Sequence, residues 1–196
     1  MGLCHMLKFD TFSGNIIFKS KSYMKHYLIV LLLCLPALMN AQSNKTTQAP
    51  AAAAKDQPPY LQFPTPPAFQ YTLPDGKVIT KKDLKKNVKT LVFVFSVDCD
   101  HCKHLTEEML KNIDKFKKAQ ILMVTPFKRE LMKEYYDHYN IKNYPNITMG
   151  SEPTRQIMYF YNLHYFPGLF IYDRKGQFVK GFEGTAKIED LVELLK

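Results

Sequence analysis

Leu91 to Ser96 reads LVFVFS, a continuous apolar run rich in β-branched and aromatic side chains, and two residues later comes Cys99-Asp100-His101-Cys102. A run of that kind without alternation suits a strand covered on both faces, which commits the chain to a sheet with a layer packed on either side. Beyond the cysteines, Leu105, Met109, Leu110, Ile113 and Phe116 fall on one stripe with Glu107, Lys111 and Lys117 opposite, predicting an amphipathic helix from about Cys99 to Lys118. Every other element has to be arranged around a buried strand that delivers a cysteine pair to a helix start.

The remaining elements alternate. Phe69 to Leu73 and Lys77 to Thr80 flank the turn signal Pro74-Asp75-Gly76 and predict a short hairpin. Ile121 to Thr125 is a second buried strand, stopped by Pro126, and Lys128 to Tyr139 predicts a helix with Leu131, Tyr135 and Tyr139 recurring every four residues. A short strand near Asn146 to Met149 and a helix from about Pro153 to Asn162 follow. Gly168 to Tyr172 and Gln177 to Phe182 form a hairpin across Asp173-Arg174-Lys175-Gly176. A last helix starts at Thr185 as N-cap and presents Ile188, Leu191, Val192 and Leu195. The fold class is therefore α/β, a mixed central sheet flanked by helices. Tyr135, Tyr136, Tyr139 and Met109 read as core, not as a cofactor-binding box.

At 196 residues the chain has room for one globular domain plus appendages. Eight Gly and four Cys against 26 Phe+Tyr exclude collagen-like, disulfide-scaffold and wholly disordered chains. Met24 opens MKHYLIVLLLCLPALMNAQSNK, with basic Lys25, an apolar run from Tyr27 to Leu38 and small Ala41, the layout of a secretory signal peptide cut after Ala41. The run is about twelve residues where a membrane span wants about 20, so removal is expected, an uncleaved anchor being the alternative. Met24 reads as the true start, with residues 1–23 an upstream extension. Leu33 before Cys34 is not small, which argues against acylation there. Residues 42–67, rich in Ala, Pro, Gln and Thr, read as a linker touching the domain surface near Tyr60 to Phe63, and residues 68–196 as the folded domain.

Removing residues 1–41 leaves 23 Lys+Arg against 17 Asp+Glu, a charge of +6 where the whole chain has +9. Lys77, Lys81, Lys82, Lys85, Lys86 and Lys89 concentrate much of it. Such a run is ordinarily a solvated face, with an anionic membrane or acidic partner as the alternative, and export takes the chain away from nucleic acid.

The chemistry lies in the tetrapeptide. A thiol at a helix start meets unpaired backbone N–H groups and the positive end of the helix dipole, which lowers a cysteine pKa from about 8.5 toward about 3.5 to 7.5. Protonated His101 adds to that effect; Asp98 and Asp100 oppose it. Cys99, at the helix end, is expected to be the nucleophile and Cys102, one turn in, to resolve the mixed disulfide. A structural disulfide is a weak alternative, since closing so small a loop stabilises by only about 2 kcal/mol. A soft-metal site has Cys99, Cys102, His101 and His104 at hand but no second CxxC or HxxxH elsewhere. Haem attachment needs His where Lys103 stands.

With these residues in view, the segment from about Pro64 to Lys196 resembles the thioredoxin superfamily, and within it the exported TlpA/ResA-like (redoxin-type) thiol-disulfide oxidoreductases. FQYTLPDGKVIT matches the N-terminal hairpin, LVFVFSVDCDHC the strand and active site, and YFPGLFIYDRKGQFVKGFEG the proline loop and hairpin, with an extra strand-helix insertion from about Tyr144 to Asn162. The resemblance implies a thioredoxin fold, Cys99 and Cys102 as the redox pair, and Pro167 as the cis-proline facing them, with the Phe166 backbone offered to an extended substrate. The expected activity needs no metal or organic cofactor and acts on protein disulfide or dithiol substrates with a redox partner protein. The signal layout makes the protein exported and periplasmic, tethered to the membrane if that signal is not cleaved, and a monomer is expected. Asp98 stands where the family usually has Trp, Gly168 where Thr often follows the cis-proline, and Phe93 where some members bury a carboxylate. The proton partner of Cys102 is thus unassigned. The competing reading is a thioredoxin-fold soft-metal-binding module or copper chaperone.

Overall fold

The structure, a computed structural model, describes residues 57–196. The expectations for a signal peptide, its cut site and most of the linker fall on residues outside it.

One sheet of seven strands organises the fold, in the order β2-β1-β5-β4-β3-β6-β7. These are β1 (Tyr71–Thr72), β2 (Val78–Ile79), β3 (Lys89–Val94), β4 (Ala119–Thr125), β5 (Ile147–Ser151), β6 (Gly168–Tyr172) and β7 (Phe178–Glu183). β3, β4 and β5 run parallel, while β6, β7 and the β1–β2 hairpin add antiparallel edges. The helices are α1 (Pro59–Gln62), α2 (Asp100–Lys111), α3 (Arg129–His138), α4 (Gln156–Tyr161) and α5 (Ile188–Leu195).

β3 is buried along its apolar length because both faces are covered. Leu91, Phe93 and Phe95 point into a cluster with Leu105 and Met109 of α2, Met132 of α3 and Leu191 of α5. Val92 and Val94 point the other way, toward Ile157 and Tyr161 of α4 and Phe170 and Tyr172 of β6. The predicted insertion is β5 with α4: the strand adds beside β4 and the helix covers the second face. Residues of α1 also join that face, where the Tyr60 ring lies 5.0 Å from that of Phe178 and 5.4 Å from that of Phe170.

Three local expectations change. The helix from the cysteines stops at Lys111, not Lys118; Asn112 caps it, its amide donating to the Glu108 carbonyl, and a 3-10 turn (Ile113–Phe116) carries Phe116 into the core. On α3 the buried stripe is Met132 and Tyr135, while Leu131 is 41% exposed. The last helix begins at Ile188, and Thr185 is not its cap; Lys187 precedes it without a side-chain cap, and Glu189 and Asp190 in the first turn complement the helix dipole instead.

Candidate active site

At the carboxyl end of β3 the chain turns sharply. The Phe95 N–H still donates to Val124 at 2.9 Å, after which the Asp98 N–H reaches Ser96 Oγ at 3.4 Å and the Cys99 N–H reaches the Ser96 carbonyl at 3.3 Å. Cys99 then sits at the N-cap of α2 in extended backbone, and its sulfur accepts the Cys102 N–H at 3.3 Å. A thiol thus occupies the place usually taken by a Ser, Thr or Asp oxygen at a helix start. The turn directs one of the otherwise unpaired helix N–H groups at that sulfur.

Both cysteines are free thiols, Cys99 half-buried and Cys102 fully buried. Burial, and then the hydrogen bond to Cys99, push the Cys102 thiol far above the usual thiol range. The structure brings the proline loop against this pair: the Phe166-Pro167 bond is cis, and the Cys99 thiol lies 3.8 Å from the Phe166 carbonyl, within reach for a sulfur donor. The Pro167 carbonyl is taken by the Gly184 N–H at 2.8 Å.

His101 is exposed on the first turn of α2. It lines a cleft of about 310 Å³ with His104, Glu108, Pro167 and the segment from Gly184 to Glu189. His104 stands 3.5 Å from Glu108, and Lys103 pairs with Asp100 at 3.1 Å. A second cleft of about 360 Å³ opens on the other side of the turn, between Val97, Asp98 and the α3 residues Leu131, Glu134, Tyr135 and His138. Among the described residues, no three His, Cys, Asp or Glu side chains are grouped to hold a metal ion. No described helix is long and apolar enough to cross a membrane.

One contact escaped the sequence reading. Tyr135, assigned to the core, is buried as expected, yet its hydroxyl donates to the Cys102 carbonyl at 3.3 Å and meets Thr106 Oγ1 at 2.9 Å. A buried phenol needs a hydrogen-bond partner, but no feature of the sequence placed that partner in the cysteine helix.

Comparison with known proteins bears on the fold. The family described as thioredoxin-like domain matches residues 77–196. StoA from Bacillus subtilis is similar in structure, with a TM-score of 0.51 and 18% identity over 68% of this chain and 99% of that one. MTB dsbF aligns with a TM-score of 0.56 and 13% identity over 65% of this chain and 92% of that one. A thioredoxin-like protein from Aeropyrum pernix aligns with a TM-score of 0.52 and 14% identity over 65% and 87%. No curated protein matches the chain.

Proposed function

The chain belongs to the thioredoxin-like domain family, and from that premise we propose that it is an extracytoplasmic thiol-disulfide oxidoreductase whose redox couple is Cys99 and Cys102. The observation that carries this reading is the Cys99 sulfur at the N-cap of α2, accepting the Cys102 N–H and facing the Phe166 carbonyl.

The Cys99 thiolate attacks one sulfur of a client disulfide; that S–S bond breaks, a mixed disulfide forms, and the second client sulfur leaves and takes a proton from water. Cys102 then gives up its proton and attacks the Cys99 sulfur, releasing the first client sulfur as a thiol. Two electrons have passed from the cysteine pair to the client, and Cys99–Cys102 is left as a disulfide for a partner dithiol to reduce. Run in reverse, the same steps donate a disulfide. Phe166 presents main chain on which an extended client pairs, with Pro167 holding that segment beside Cys99.

The layout of Met24 to Ala41 supports export to the periplasm, with a tether if the leader is retained, and the clients are protein thiols or disulfides met by a monomer. The test is turnover on insulin disulfides. Cys99→Ser is expected to abolish it, and Cys102→Ser to accumulate mixed disulfides visible on a non-reducing gel. Normal turnover by Cys99→Ser overturns the assignment.

A further inference from the structure

The cations are not spread evenly over the folded domain. At the end of the sheet opposite the cysteines, where β3, β4 and β5 begin and β6 ends, Lys81, Lys85, Lys86, Arg174 and Lys175 surround one cleft of about 320 Å³. Lys85 is shared with a neighbouring cleft that Lys117 also lines. Lys115 and Lys118 lead into β4 and Lys142 precedes β5 at the same end. All of these side chains are exposed.

The acids among them are largely committed. Asp114 pairs with Lys117 at 2.7 Å, Asp83 accepts the Thr80 N–H at 2.9 Å, and Asp173 accepts the Lys175 and Gln177 N–H groups within its own turn, each at 2.8 Å. The nine basic side chains named outnumber these three acids by six, whereas residues 57–196 as a whole hold 21 against 16, an excess of five. The rest of the domain is therefore slightly acidic, and Asp98, Asp100, Glu107 and Glu134 lie exposed at the cysteine end.

The basic end is also held in shape. Buried Gln120 accepts the Lys85 N–H and donates to the Lys85 carbonyl, both at 2.8 Å, and donates to Thr90 Oγ1 at 2.8 Å. A side-chain amide thus clips the lysine loop to the start of β3, so the backbone that carries these cations is fixed before any surface is met.

We infer that this end docks on an anionic lipid bilayer, turning the cysteine end toward the aqueous side. The cations come from four separate segments around the rim of the sheet, which suits a planar array of headgroups better than a strand lying in one channel. Proximity comes from the sequence in the alternative in which the Tyr27–Leu38 run is retained as an anchor: residues 42–56, extended, then reach about 50 Å, more than the roughly 23 Å length of β4. A chain held by that run can offer either end of the domain to the bilayer, and charge selects the basic one. The inference rests on charge placement, not on the redox reading.

Lysine acetylation followed by mass spectrometry tests it on the full chain, with vesicles of phosphatidylcholine alone or of equal parts phosphatidylcholine and phosphatidylglycerol. On the anionic vesicles Lys85, Lys86, Lys117 and Lys175 are expected to react at least about threefold more slowly, with Lys103, Lys133 and Lys187 unchanged. Added salt removes the protection, as does the Lys85→Glu/Lys86→Glu double variant, whose changes lie on exposed side chains. Equal protection on neutral vesicles, or protection of Lys103 instead, overturns the proposal. So does protection of the same lysines by soluble heparin but not by anionic vesicles, which would assign the surface to a polyanionic macromolecule.

Discussion

The Tyr135 hydroxyl donates to the main-chain carbonyl of Cys102 at 3.3 Å and receives Thr106 Oγ1 at 2.9 Å, so that a side chain of α3 grips the turn of α2 that carries the buried cysteine. Tyr135→Phe retains the ring packing against Phe95 and Tyr139, with centroids 4.7 and 4.6 Å away, and deletes only the hydroxyl. The expected loss is about 1 to 2 kcal/mol, because a buried hydrogen bond goes and the Thr106 hydroxyl is left unpartnered. Urea denaturation of Tyr135→Phe, Thr106→Val and the double variant measures the coupling; simple additivity would show that the two hydroxyls act independently.

Alkaline stability follows from the same burial. Desolvation, then the bond to Cys99, holds the Cys102 thiol high, and desolvation chiefly does the same for the phenols of Tyr71, Tyr135 and Tyr172. Each group keeps its proton more tightly in the folded chain than in the unfolded one. Their contribution is thus complete below the unfolded values, about 8.5 for a thiol and about 10 for a phenol, and is lost as pH rises above them. The urea midpoint of the reduced protein is expected to decline from about pH 8.5 upward, and that of the oxidised protein only from about pH 10. A midpoint that climbs across this range contradicts the assignment.

Tyr60 tests how far the folded unit extends toward the N-terminus. Its ring packs on Tyr161, Phe170 and Phe178, and the Phe178 N–H donates to the Pro64 carbonyl at 2.8 Å. Tyr60→Ala is expected to destabilise the domain by about 1 to 3 kcal/mol, the range for losing a partly buried aromatic ring. A thermal melt unchanged by the substitution would make residues 57–64 a passive linker.

What could be read from sequence was whatever local pattern decides. The unbroken apolar run at Leu91–Ser96 suited a doubly covered strand, which it is, and Pro74-Asp75-Gly76 and Asp173 to Gly176 both form the turns their residues favour. What could not be read depends on contacts distant in sequence. Gln120 lay outside the strand predicted from Ile121, and its clip on the loop had no local signature because its partner Lys85 lies 35 residues away. Tyr135 had the spacing of a core residue and is one, but the atom that matters is the hydroxyl, whose acceptor is 33 residues earlier. Asn112 ended α2 early by taking a helix carbonyl, a competition that hydrophobic periodicity does not register.

Gly168 shows a departure from family pattern becoming intelligible. A Cβ there would lie 2.5 Å from Leu163 Cδ1 and 3.0 Å from Phe170 Cε2, so the position following Pro167 is filled by neighbours and has no room for the Thr often found in relatives. Leu163 is buried on the second face of the sheet and can yield only by moving within that cluster. Gly168→Thr is therefore expected to cost about 1 to 3 kcal/mol through overpacking, and the double variant Gly168→Thr/Leu163→Ala to cost less than the two single changes summed. Because β6 pairs with β3 through Gly168↔Val94, the displaced loop also carries Phe166 away from Cys99. Slower insulin reduction by Gly168→Thr, partly restored in the double variant, is the expected kinetic result; full activity with unchanged stability would mean that the packing around Leu163 leaves room for the larger side chain.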